Sequence, residues 1–394
     1  MKKIFAAILT IVMICTLFVG CQPAENENQT PKGVFEAGYG RVDVTPDPAN
    51  SYPLGGWGDG RPSSEIWDNF YITCTAMKDE NGETFLLYHC DFLKVDTTLS
   101  MSKNQITKAT GVPAENIIIS TTHSHSSPDM NQNGAIIDDY KKIVKKAMVT
   151  AAEEAIKDLK PAKIYTTEIV CEGFNALRTV CKDKLDKTLE LIKFTREGGK
   201  DIVMVNWQGH PIGQGANMAA MINDYDILRK YIEPALNCNM IYFLGASGNI
   251  QNKNTTGGTY VDHYNALGAK IVEAAANFKE VTTGVVKKAT TRVELDYKSG
   301  GVSSEPIYMI SVGNSLAFAI VPYEMFSDSA LAIKEHSQFD QTFIVTCAEG
   351  AIGYIPTFST AEGEYELNAC FYAKGSAELL VAGYQSLLDQ LYVK

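Results

Sequence analysis

NIIISTTHSHSS, residues 116–127, runs from three consecutive isoleucines into two histidines spaced i, i+2 among serines and threonines. Three β-branched apolar residues in a row read as a short buried strand. His123 and His125, two apart on an extended segment, face the same side, so both imidazoles can enter one cleft. Imidazole nitrogen is the commonest zinc ligand, and hydroxyls alongside can orient it or bind substrate. A polar loop with two surface histidines is the competing reading, and on the pair alone the two stand level.

Strand and helix signals alternate outward from this segment. Residues 71–78 and 83–90 are rich in strand formers and joined by Asp79-Glu80-Asn81-Gly82, an Asn-Gly hairpin signal. Residues 138–159 form the clearest helix, with Tyr140, Ile143, Val144, Ala147, Ala151, Ala155 and Leu159 on one stripe. Strands are expected over 163–170, 189–195, 202–207 and 240–244, and helices near 225–236 and 260–278. A hairpin of 308–312 with 316–321 turns at Gly313-Asn314, followed by a helix over 325–336 and a strand over 342–346. The pattern predicts an α/β (mixed α+β) fold, layered β-sheets flanked by α-helices, in a single large domain over residues 34–394.

The N-terminus reads differently. Lys2 and Lys3 precede an apolar run from Ile4 to Val19 that is short for a bilayer span, and Leu17-Phe18-Val19-Gly20-Cys21 resembles a bacterial lipobox. Residues 1–21 are therefore expected to be a lipoprotein-type signal, with Cys21 lipidated and anchored to a membrane of the cell envelope. Residues 22–33 contain no large apolar side chain, are rich in Asn, Gln, Glu and Pro, and read as a flexible tether. The formal net charge of −11 argues against nucleic acid or an anionic lipid surface as the main partner. Seven further cysteines, at 74, 90, 171, 181, 238, 347 and 370, show no CxxC spacing. They read as buried small hydrophobes, leaving room for one disulfide.

Only six histidines occur, so each placement counts. His210 closes the strand IVMVNWQ between Gly209 and Pro211, where a site residue and a satisfied structural histidine are equally expected. His89 sits inside a strand and reads as core, while His263 and His336 lie on helical patterns and read as surface. Phe243–Asn252 closes another apolar strand with a Gly-rich turn that could form a backbone nest for an anion. The Walker and GxSxG patterns are absent. Glu324, in Pro322-Tyr323-Glu324, follows one strand, and Gly353-Tyr354-Ile355-Pro356-Thr357 and Tyr365-Glu366 follow another.

In this order the motifs resemble the neutral ceramidase family. The resemblance runs from Gly38-Tyr39-Gly40-Arg41-Val42-Asp43-Val44-Thr45-Pro46 through Asp91, THSHS, His210 and Gly248-Asn249 to Glu324, GYIPT and Tyr365-Glu366. It implies the catalytic domain of that family, with one zinc held by His123, His210, Glu324 and Tyr354. His125 would contact substrate and assist proton transfer, Arg178 would echo the family's active-site arginine, and Asn249 would bind substrate. The family's active-site serine position in the Gly-rich turn is read as Gln251, whose amide would take a catalytic part by donating a hydrogen bond into the cleft, and no C-terminal immunoglobulin-like domain is expected.

Zinc so held can activate water against an amide carbonyl, so the expected function is hydrolysis of an N-acyl bond in a small molecule or lipid. The alternatives are a non-catalytic surface lipoprotein that binds lipid or glycan, for which Gln251 in place of serine speaks, and a zinc hydrolase of another bond such as an ester.

Overall fold

A computed structural model describes residues 33–393 apart from 57–59, 180–183, 214–218, 255 and 351. The signal over 1–21, Cys21, Cys181 and all of the tether but Gly33 lie outside the described residues.

The expected hairpin forms β2 (Tyr71–Lys78) and β3 (Thr84–Cys90), paired antiparallel, with β1 (Glu36–Asp43) on the far side of β2 and β4 (Ile117–Thr121) parallel to β3. Antiparallel pairing continues from β1 to β5 (Lys160–Val170), β6 (Thr188–Arg196) and β7 (Asp201–Trp207), and β8 (Cys238–Leu244) lies parallel to β7. The order is β8-β7-β6-β5-β1-β2-β3-β4, with a short β9 (Lys279–Val281) also pairing with β5. A second sheet orders β10 (Val286–Asp296), β11 (Val302–Val312), β12 (Leu316–Ile320) and β13 (Gln341–Val345).

Side-chain alternation stacks the two sheets. In β3, Phe85 and Leu87 point into a core shared with Ile310, Phe318 and Phe343 of the second sheet, while Leu86, Tyr88 and Cys90 face the other way. That other face is covered by α1 (Thr97–Thr110) and α2 (Ala135–Lys157). Farther along the same sheet, α3 (Asp224–Leu236) and α4 (Tyr260–Ala275) cover Leu191, Val205 and Tyr242. The outer face of the second sheet carries α5 (Ser327–His336) and α7 (Ser376–Leu391), with α6 (Tyr365–Ala369) a single short turn between them. Helices, two sheets and helices thus form four layers in one domain, the expected fold class.

Two glycines make the closest contact possible. A Cβ at Gly38 would stand 2.0 Å from the Ala155 carbonyl oxygen, and one at Gly40 2.1 Å from that of Ala151. Nothing larger fits where the small-residue face of α2 lies on β1.

Several elements escaped the sequence. Helix α1 buries Thr98, Leu99, Ser102 and Ile106, too few apolar residues for a stripe, although Asp96 caps it through the Leu99 amide and Gly111 ends it at φ 78°. Strand β10 and helix α7 were also not anticipated. His263 is buried beside Phe174 and Tyr264 rather than at the surface, and burial pushes its imidazole down to about 4. The six described cysteines are all buried free thiols. Among the described residues no helix is long and apolar enough to cross a membrane.

Candidate metal centre

Five loops, each leaving the C-terminal end of a strand, bring the chemistry together. His123 follows β4, His210 follows β7, Ser247 follows β8, Glu324 follows β12 and Cys347 follows β13. These loops and their surroundings enclose a cleft of about 650 Å³ whose lining includes His123, His125, Arg178, Glu324 and Tyr354.

The THSHS segment does not reach the cleft as a continued strand. β4 ends at Thr121, and His123 takes a left-handed φ of 62°, a conformation rare for a residue with a side chain. The turn, not strand alternation, aims both imidazoles inward. His125 packs against Gly56, where a Cβ would lie 2.5 Å from its ring. His210 is fixed from both ends. Asn252 donates to its carbonyl at 2.9 Å, and Gly209 leaves the space that the Asn252 side chain needs.

The three rings meet edge to face, with centroids 4.9, 5.0 and 5.0 Å apart. His125 Nε2 lies 3.2 Å from His123 Nε2 and 3.1 Å from His210 Nε2. Glu324 Oε2 lies 3.3 Å from His123 Nε2, and this buried oxygen has no hydrogen-bond partner. Donors about 2.0–2.2 Å from one tetrahedral ion stand roughly 3.3 Å apart, so these spacings suit a shared ion. The far ring nitrogens are anchored as metal ligands require: His123 Nδ1 faces the Leu93 carbonyl at 2.9 Å and His210 Nδ1 that of Ser247 at 3.1 Å. Each Nε2 is thereby turned toward the centre. His123, His125 and His210, all buried, form a group that could hold a metal ion.

Charge is distributed unevenly over the group. Burial disfavours a charged His123, but Cys347 and Glu324 outweigh it and hold that imidazole well above its ordinary value. Burial, reinforced by neighbouring positive charge, holds His125 and His210 well below theirs. Burial raises the Glu324 carboxyl, yet His123 and then Arg178 outweigh it and keep it low. Burial, with Glu324 beside it, holds the Tyr354 phenol high, opposed by Arg178.

Arg178 ties the second tier together. It donates to the Tyr354 hydroxyl at 3.1 Å and to the Gly248 carbonyl at 2.7 Å, and its Nε lies 2.8 Å from Glu366. The guanidinium also lies 5.6 Å from the centre of the Tyr354 ring.

The structure therefore gathers His123, His125, His210, Glu324, Tyr354 and Arg178, with His125 as close to the other two imidazoles as any ligand would be. Gln251 and Asn249 stand elsewhere. Gln251 is exposed because Ile250 turns inward on the same short strand, and it does not line the cleft. Asn249 is fully buried, its Oδ1 accepting from the Ser327 amide at the start of α5. The hydroxyl buried in this turn belongs to Ser247, whose Oγ has no hydrogen-bond partner. Cys347 and Asn252 were not singled out, and nothing in their spacing marks them. Cys347 Sγ lies 3.5 Å from His123 Nδ1.

No family model and no curated protein matches this sequence. Solved structures do resemble its fold. Neutral ceramidase from Pseudomonas aeruginosa superposes with a TM-score of 0.76 at 14% identity, over 92% of this chain and 75% of that one. A ceramidase complexed with C2 gives 0.76 at 12% identity, over 92% and 76%. The fold is ceramidase-like. The five loops of the centre hang on that framework.

Proposed function

We propose that the protein is a metal-dependent hydrolase of N-acyl amide bonds, with zinc as the ion and an exported, lipid-anchored location. The observation that carries the reading is the convergence of three imidazoles and the Glu324 carboxylate beside the cleft, in a ceramidase-like fold. Nitrogen and carboxylate donors suit zinc, and His123, His210, Glu324 and Tyr354 would hold it. An ion bound there would supply Lewis acidity toward a substrate carbonyl and toward water.

The side chains supply the rest. His125 Nε2, beside the Nε2 atoms of His123 and His210 and lining the cleft, is placed to take a proton from water and deliver it to the departing amine. Arg178 fixes the Tyr354 hydroxyl and keeps a positive charge beside the space a carbonyl oxygen would occupy. Glu366, buried behind Arg178, holds the guanidinium in place.

Metal analysis of the purified protein, with a panel of N-acyl substrates and matched esters, tests the reading. About one zinc per chain and chelator-sensitive amide cleavage are expected. A metal-free protein inert toward every amide would overturn it.

A further inference from the structure

Lys94 is the feature of the cleft that amide hydrolysis does not explain. It follows Leu93, whose carbonyl anchors His123, and it lines the same cleft while half-buried. No described residue pairs with its ammonium or accepts a hydrogen bond from it. An ammonium on a cleft wall with no counter-charge beside it can pair with an anion brought from outside.

The cleft's acids are engaged elsewhere. Asp129 accepts from the Asn131 amide, the Asn131 side chain and Gln132. Glu324 faces His123. The other cation, Arg178, is taken up by Glu366, Gly248 and Tyr354. Lys94 is therefore the cleft cation left without a partner among the described residues, a single positive charge that a carboxylate matches. Leu93, Ile212, Tyr323 and Tyr365 supply apolar lining to the same space, enough for part of an acyl chain.

We propose that the substrate is an N-acyl compound carrying a carboxylate next to its amide, an N-acyl amino acid, with Lys94 as its specificity-determining residue. This rests on the hydrolase reading and narrows it away from uncharged amides such as ceramide.

The test compares N-dodecanoylglycine with its neutral glycinamide analogue on wild type, Lys94→Gln and Lys94→Arg. Wild type should favour the carboxylate about ten- to a hundredfold in kcat/KM, the range of a charge-assisted hydrogen bond. Lys94→Gln should abolish that preference by raising KM for the acid while leaving the neutral amide within a few-fold, and Lys94→Arg should keep much of it. Calorimetric binding of the uncleavable N-dodecylsulfonylglycine and its neutral amide forms the second arm. Lys94-dependent binding of the acid with no amide hydrolysis by any protein would uphold Lys94 and sink the hydrolase reading. Equal hydrolysis of both substrates, a preference that survives in Lys94→Gln, or no preferential binding of the acid overturns the proposal.

Discussion

Glu324 and Tyr354 are register partners on two parallel two-residue strands, Glu324–Met325 and Tyr354–Ile355. The pairing sets the carboxylate and the phenol side by side on one wall of the cleft, thirty positions apart in sequence. Glu324→Gln removes the charge that faces His123 and should abolish stoichiometric zinc. Tyr354→Phe removes a proposed ligand and should weaken zinc by at least about 10–100-fold, the loss seen when even an outer supporting group is removed. Competition with a chromophoric chelator reads both values. Zinc affinity unchanged in either variant would remove that residue from the centre.

His123 and His125 carry different expectations although their Nε2 atoms are 3.2 Å apart. His123→Ala should lose zinc and activity together. His125→Ala should keep zinc and lose about 10²–10⁴ in kcat, the contribution of a positioned acid–base group. Zinc content measured on both variants separates the roles, and a zinc-free His125→Ala would make His125 a ligand instead.

Gln251 is exposed on its strand and outside the cleft lining. Gln251→Ala should therefore change kcat/KM by no more than a few-fold. A drop of a hundredfold or more would return this side chain to the catalytic machinery.

Asp224 holds the loop beyond His210, accepting from the Gly213 amide at 3.1 Å. Burial raises its carboxyl to about 7, with the Gly213 amide opposing. An unfolded aspartate ionises near ~3.9, so between these values the native state keeps a proton that the unfolded state has released. Stability from this group is present below about pH 4, falls as pH rises toward 7, and levels off above, by at most about 1.36 kcal/mol per unit. Asp224→Asn should flatten that part of the profile. Thermal unfolding from pH 4 to 8 checks it, and identical slopes in both proteins would rule it out.

Cys21→Ser should shift the protein from membrane to soluble fractions. Each buried acyl CH₂ contributes about 0.8 kcal/mol, so losing the chains is decisive. Wild type found in the medium with an N-terminus beyond residue 21 would refute lipidation.

The sequence by itself determined the strand-to-loop passage at 116–127, the hairpins, helix α2 and the layered class, because each is written in local periodicity. It also placed His123, His210, Glu324 and Tyr354 after apolar runs, but only the resemblance to the neutral ceramidases joined the four into one ligand set. What it could not carry was direction. Gln251 was expected to point into the cleft, but pairing of its strand with Asn175–Leu177 turns it out and Ile250 in. Strand alternation was expected to aim His123 and His125, but a left-handed turn does so. Lys94 and Cys347 became cleft residues only when distant loops closed around them. Such placements depend on which strands pair across the sheet and how two sheets stack, and those contacts join residues that no local pattern links.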